Sequence, residues 1–288
     1  MKTRIPYHAL LLVTLVLMCA NGFVALYLLR TPADPAVTVS FFDVGQGDSI
    51  LVEGPTGIEM LIDGGKDRSV VRELPKVMGP LDRSIDIIVA THPDADHIGG
   101  LPDVLSRYRV STMLTSGREA ESSYVERFKE AEANEVGMNQ IYARKGMRIH
   151  LGGGAYADVL HPEDTVAKLP NTNDASIVLR VVFGSTEFLL TGDAPSWVEH
   201  RLVEAYGDEL QSDVLKAGHH GSKTSTSPLF LATVQPDTVV ISAGKNNTYG
   251  HPHPDVLQNI QDAGTLLLST IDSGTITFVS DGSLVLRR

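Results

Sequence analysis

Apolar residues fall into short blocks along most of this chain. Three come early, VTVSFFDV, SILVEGP and IEMLIDGG, each rich in β-branched residues and each closed by glycine, proline or aspartate. They predict consecutive strands, with Pro55-Thr56-Gly57 as the second turn. A helix is predicted over about 67–78, and IDIIVATH reads as an apolar strand running straight into the loop HPDADHIGG. LPDVLSRY then reads as helix, as does 122–134. IVLRVVFG and TEFLLTGD predict a hairpin whose second strand ends at Asp193. Beyond a helix over 197–206, SDVLKAGHHG and DTVVISAG are strands that each end in a polar loop. A helix over 254–263 and two short strands close the chain. Early hairpins and later strand–helix alternation suit a single two-layered α/β body. Gly152-Gly153-Gly154 reads as a loop, and no repeat of 20–50 residues is present.

The first apolar block is of another kind. Residues 5–29 carry no formal charge, with His8 counted as neutral, and are long enough to span a bilayer with some tilt. Met18-Cys19-Ala20 is a poor cleavage site, and Met18 before Cys19 does not fit a lipoprotein signal. The expected organisation is an uncleaved transmembrane anchor at 1–30, a stiff linker around TPADPA at 31–37, and one soluble domain at 38–288. Lys2 and Arg4 outnumber Arg30, which favours an inside N-terminus. The expectation is a single pass of the cytoplasmic membrane with the domain on the outer side.

Charge and cysteine usage narrow the partners. The net charge is −11; Lys2, Arg4 and Arg30 give the first thirty residues +3, which leaves about −14 on the rest. Such a body does not present a broad basic groove for nucleic acid, so cations for a phosphodiester must come from bound metal or a local patch. Cys19 is the single cysteine, so no disulfide within the chain is available to an exported domain.

The turn in FFDVGQGDSILVE raises the first question of chemistry. A dinucleotide loop needs a third glycine and a following helix, and here Ser49-Ile50-Leu51-Val52 continues as strand. A calcium loop opening at Asp43 needs a side-chain acceptor at its third position, where Gly45 stands. Gly45-Gln46-Gly47-Asp48 therefore reads as a hairpin turn, with Asp43, Gln46 and Asp48 as candidates for a pocket rim.

The histidines say more. Of ten, His92, His97, His219, His220, His251 and His253 cluster at strand ends. His92-Pro93-Asp94-Ala95-Asp96-His97 packs four potential metal ligands into six residues after an apolar strand. Three further units each follow a strand: Thr191-Gly192-Asp193, Lys216-Ala217-Gly218-His219-His220-Gly221-Ser222, and Tyr249-Gly250-His251-Pro252-His253-Pro254. All four units can meet at one edge of a sheet. His253 reads as a helix-start residue and His161, beside Pro162, as part of a structural turn.

In this order the segments resemble the metallo-β-lactamase superfamily. They are most similar to the extracellular hydrolase domain of ComEC-type competence (DNA-uptake) proteins, through FFDVGQGDSILVE, THPDADHIGG, NDASIVLR, FLLTGD, DVLKAGHHGS and YGHPHPDVL. The resemblance covers nearly all of 38–280 and implies an αββα sandwich with a dinuclear metal site at the sheet edge. The resemblance does not extend to the many-helix membrane channel of a full ComEC protein, and one anchor is expected in its place. Asp94 stands where many superfamily members carry a histidine, and Asn173-Asp174-Ala175-Ser176 where many carry another. ComEC-type proteins share both changes. Oxygen donors at these places favour Mn²⁺ or Mg²⁺ there, with Zn²⁺ still open.

The resemblance also implies roles. One ion takes His92, Asp94 and either Asn173 or Asp174. The other takes Asp96, His97 and a late histidine, with Asp193 as the bridge. His251 is favoured as that late ligand, and His219 or His220 then orients the substrate or protonates the leaving group; the reverse assignment stays open. Asp63 and Lys216 are expected behind the ligands or facing a phosphate, with Lys216, Asp96, His219 and His220 carrying catalysis. The implied activity is metal-dependent hydrolysis of a phosphodiester, DNA before others. The acidic body fits a small-molecule or envelope phosphodiesterase, such as the phosphorylcholine esterases of the same superfamily. A non-catalytic DNA-uptake or envelope component is the third reading.

Overall fold

A computed structural model describes residues 6–28, 35–163, 166 and 169–288 in two compact units, Met1–Pro35 and Ala36–Arg288. In the first, a helix of 22 residues spans Tyr7–Leu28, about 33 Å long at 1.5 Å per residue. Its described apolar side chains, Leu10, Leu12 and Val13 among them, are exposed. Among the described residues no helix is long and apolar enough to cross a membrane. The side chains of 23–28, and residues 1–5 and 29–34, lie outside the described residues. Both ends of the expected span and most of the expected linker fall there.

The second unit is built on strands β1 (Val37–Phe41), β2 (Ile50–Glu53), β3 (Glu59–Ile62), β4 (Ser84–Ala90), β5 (Arg109–Thr115), β6 (Asn139–Tyr142), β7 (Arg148–Gly152), β8 (Ala155–His161), β9 (Val178–Phe183), β10 (Thr186–Leu190), β11 (Val214–Lys216), β12 (Thr238–Ile241), β13 (Leu266–Ser269), β14 (Ile276–Ser280) and β15 (Val285–Arg287). One sheet has the order β15-β14-β1-β2-β3-β4-β5-β6 and the other β13-β12-β11-β10-β9-β8-β7. β3 to β6 run parallel, as do β10 to β13.

Alternation along the strands explains the layering. In β2, Ile50 and Val52 enter the core between the sheets, while Leu51 turns to the helices outside. In β10, Phe188 and Leu190 face inward and Leu189 faces the other helical layer. Strands buried on both faces read as continuous apolar runs. Helices Val70–Val77, Leu101–Leu105 and Ser123–Asn134 cover the first sheet, and Ser196–Tyr206, Pro228–Val234 and Pro254–Asp262 the second. The result is the expected αββα sandwich. FFDVGQGDSILVE forms the expected β1–β2 hairpin, and β9–β10 is the second predicted hairpin.

The sequence pattern missed β5 to β8. β6, NQIY, is exposed at every position, and β7 alternates polar with apolar. Their partners, not their own hydrophobicity, make them strands. Gly153 and Gly154 form the β7–β8 turn, with Gly152 ending β7.

At the start of β3, Glu59 is buried and paired across the ladder with Glu53. Burial first, then the carboxylates of Asp82, Glu53 and Asp86, push its carboxyl up to about 8. Folding therefore takes up a proton there between the unfolded value of about 4.3 and about 8. This contribution is complete below the lower value and is lost as pH rises to the upper one. Glu59→Gln should raise the thermal midpoint by about 2–4 °C near pH 8 and leave it unchanged near pH 4. Equal midpoints at both pH values would show that the carboxylate is accommodated charged.

Candidate metal centre

The carboxyl ends of the parallel strands supply the site. Asp63 follows β3, Thr91 and His92 follow β4, Asp193 follows β10, His219 and His220 follow β11, and Ser242 follows β12. Ligands in such sheets gather at these ends. Close backbone contacts fix the loops. Gly47 has φ +126°, and a Cβ there would fall 2.1 Å from the Asp96 carbonyl oxygen. Only glycine lets the β1–β2 loop lie on the short helix Ala95–Ile98. His219 and His220 take φ of 46° and 54°, a costly conformation for residues with a Cβ. That turn brings both rings to Asp193.

The hydrogen bonds on one side of each ring decide what the other side offers. His97 Nδ1 donates to Asp63 Oδ2 at 2.7 Å. His92 Nδ1 donates to Thr91 Oγ1 at 3.0 Å, and that hydroxyl donates to Asp63 Oδ2 at 2.7 Å. His220 Nδ1 donates to the Ser242 carbonyl at 3.0 Å. With Nδ1 protonated in this network, each Nε2 presents a lone pair. All three Nε2 atoms are buried without a hydrogen-bond partner. They stand 3.9, 3.3 and 3.4 Å from Asp193 Oδ2 for His92, His97 and His220. His220 Nε2 is also 3.4 Å from Asp96 Oδ2, and His92 Nε2 is 3.8 Å from Asp94 Oδ2.

Lone pairs and carboxylates facing one another away from water repel unless a cation sits among them. The donors therefore fit divalent metal: His92, His97 and Asp193 form one potential ligand group, and Asp96, His97 and His220 another. Burial, then the charge on His97, push His92 down to about 3, so it is a neutral donor. Burial disfavours charge on His220 too, but Asp193 and Asp48 outweigh it and push the ring up to about 9. Asp193 itself is held well below the usual carboxylate range; burial opposes this, and His220, His97 and Lys216 prevail. Protons compete with metal for such donors, so affinity rises with pH.

Several predicted roles shift. Asp174 bonds away from the cluster: Oδ1 accepts from Trp197 Nε1 at 2.8 Å, Oδ2 from the Asn171 amide at 3.1 Å, and its carbonyl faces His161 Nε2 at 2.9 Å. Of the two alternatives, Asn173 is the one at the site; its Nδ2 is 3.3 Å from His219 Nδ1, and its Oδ1 is buried without a partner. Lys216 is fully buried, ion-paired with Asp48, and donates to the Gly192 carbonyl at 2.7 Å. Its ammonium is held between the Asp48 carboxylate and the Gly192 carbonyl, 3.6 Å from Asp193 Oδ1. Asp63 is fully buried and bonds the Nδ1 side of His97 and both donors of Thr91.

The structure brings His220, not His251, to Asp96 and His97. The sheet order β12-β11-β10 sets this. A residue leaving β11 is one strand from Asp193, whereas one leaving β12 is two strands away, with about 4.8 Å per strand. His251 lies at the rim, its ring 5.4 Å from His219 and 5.8 Å from Tyr249. His219 is half-buried, with Nε2 3.8 Å from Asp193 Oδ2. His253 caps helix Pro254–Asp262.

Residues 42–245 match the family model of the metallo-β-lactamase superfamily. The chain belongs to this superfamily. Within it, the chain is similar to ComE operon protein 3 of Bacillus subtilis (strain 168), 31% identical over 265 residues, which cover 83% of this chain and 32% of that protein. It is 33% identical over 264 residues to competence protein ComA of Neisseria gonorrhoeae, covering 89% of this chain and 34% of that protein. It thus spans about a third of the length of each of these two relatives. The solved metallo-β-lactamase fold protein YhfI of Bacillus subtilis superposes with a TM-score of 0.55 at 12% identity, over 86% of this chain and 100% of that one. At that identity the likeness speaks for the fold alone.

Sequence reasoning missed Asp48 as part of the centre's support. It is buried, paired with Lys216 and 3.5 Å from His220 Nδ1. Burial raises its carboxyl, but Lys216 and His220 outweigh that and hold it down at about 2. The signal was Lys216 itself: a lysine within the apolar strand VLKAG requires a buried counter-charge.

Asp63 accepts from His97 Nδ1, the Thr91 amide and the Thr91 hydroxyl at once. An asparagine has one oxygen for three donors. Asp63→Asn should weaken divalent-metal affinity by about 10–100-fold with the fold intact by circular dichroism. Unchanged affinity in equilibrium dialysis would remove Asp63 from the ligand-orienting network.

Proposed function

We propose that this chain is a metal-dependent phosphodiesterase acting on DNA, anchored by its N-terminal helix with the hydrolase unit outside the cytoplasmic membrane. The observation that carries the metal dependence is the trio of buried, unpartnered Nε2 atoms around Asp193. His92, Asp94 and Asn173 line one half of the centre, and Asp96, His97 and His220 the other, with Asp193 between them. The oxygen-rich first half favours Mn²⁺ or Mg²⁺ over Zn²⁺. Bound divalent ions supply an activated water and neutralise charge on the phosphoryl oxygens. His219, next to Asp193 and reachable from solvent, is positioned to orient the substrate or to exchange a proton with the departing oxygen. Asp63, Asp48 and Lys216 keep the donors oriented. His251 borders the entrance.

Similarity to a protein named competence protein ComA, with the resemblance of these segments to DNA-uptake proteins, supports DNA as the substrate. The apolar run over 5–29, with Lys2 and Arg4 before it, supports the anchor and its orientation. The net charge of −11 favours a second reading, a phosphodiesterase for small molecules.

The full chain in detergent, loaded with Mn²⁺, should hydrolyse both bis-p-nitrophenyl phosphate and linear DNA. Asp193→Ala should abolish turnover, and His219→Ala should lower kcat by about 10²-fold or more. Hydrolysis of the small diester alone would select the second reading. Full activity after chelation would overturn both.

A further inference from the structure

A cavity of about 270 Å³ adjoins the Asp96 side of the centre, bordered by Gln46, Lys66, Asp96, Asn246, Asn247 and Tyr249. Its walls are fixed. The Lys66 carbonyl lies so close to Gly99 that a Cβ on Gly99 would fall 2.2 Å from it, which pins the root of the lysine to the ligand-bearing segment. Asn247 organises the opposite wall: Nδ2 donates to the carbonyls of Gly244 and His251 at 2.8 and 2.6 Å, and Oδ1 accepts from the amides of Tyr249 and His251 at 3.2 and 3.0 Å. Gln46 Oε1 accepts from the Gly244 amide at 3.2 Å, which ties the two walls together and leaves the NH₂ of Gln46 as a donor.

The chemistry of the walls is specific. Lys66 is exposed and makes no ion pair among the described residues, and the same holds for nearby Lys245. In a chain of net charge −11, Lys66 puts a cation on the wall of this cavity. Tyr249 is 64% exposed, with its ring stacked at 24° on His251. A cation, amide donors and a flat aromatic surface within one nucleotide's reach match a phosphate and a base together. A base can lie on Tyr249 only when it is not stacked inside a duplex.

We propose that this cavity binds the nucleotide next to the cleaved bond in a single-stranded phosphodiester chain, with Lys66 pairing to its phosphate and Tyr249 stacking on its base. The proposal rests on the phosphodiesterase reading above and names how an acidic body holds a polyanion. Two contacts beside the centre do the work that a broad basic groove does elsewhere.

The test is fluorescence anisotropy with a labelled phosphorothioate decathymidylate, which resists cleavage, and with its duplex. The full Mn²⁺-loaded chain is used throughout. The wild type should bind the single strand more tightly than the duplex. Lys66→Gln should weaken single-strand binding several-fold and reduce the slope of log affinity against log salt by about 0.7. Tyr249→Ala should weaken it by about tenfold and erase the preference for the single strand. Lys76→Gln, an exposed lysine paired with Glu73, should change neither value. Wild-type binding in both site variants, or tighter binding of the duplex, would overturn the subsite. Strand binding through Lys66 and Tyr249 in a wild type that leaves bis-p-nitrophenyl phosphate intact would keep the subsite and overturn the phosphodiesterase reading.

Discussion

Three buried imidazoles aim their Nε2 atoms at one carboxylate, and the surrounding structure serves to hold them there. Left to themselves these groups would turn away or take up protons. Each ring is locked from behind, His97 by Asp63, His92 by Thr91 and His220 by the Ser242 carbonyl. Asp63 is the common anchor, since it also fixes Thr91. Those anchors sit at the carboxyl ends of strands whose other residues are packed on both faces, so the rings cannot relax without disturbing two layers of core. The buried Asp48–Lys216 pair extends the same logic one step further back.

The strain in the molecule is placed where this arrangement needs it. Two consecutive histidines in left-handed backbone are unfavourable alone, yet they let one short turn put His220 deep beside Asp96 and leave His219 at the solvent edge. Gly47 plays the matching part opposite, letting one loop lie on the backbone of another. The centre is thus assembled from close loop contacts as much as from side chains.

Much of this was legible in the sequence, for stated reasons. His92-Pro93-Asp94-Ala95-Asp96-His97 stood out because four donors in six residues after an apolar strand leave few other uses. Asp193 was legible as a carboxylate closing a strand. The choice between His220 and His251 was not, because it depends on which strand lies beside β10, and strand order is a property of the sheet. Asn173 and Asp174 differ only in which way a short turn faces. Asp48 read only as a candidate for a pocket rim, and its place beneath the donors became visible with the lysine that neutralises it. β6 and β7 were unreadable because their polar sequences are made strands by their neighbours.

The central claim is that these donors form a metal centre whose late histidine is His220. Anomalous diffraction from crystals of the Mn²⁺-loaded protein tests it most directly. The account predicts two peaks flanking Asp193, one bonded to His92 Nε2 and the other to His220 Nε2, with Asp63 behind His97 and making no bond to metal. No peak at Asp193, or a peak held by His251 in place of His220, would contradict it.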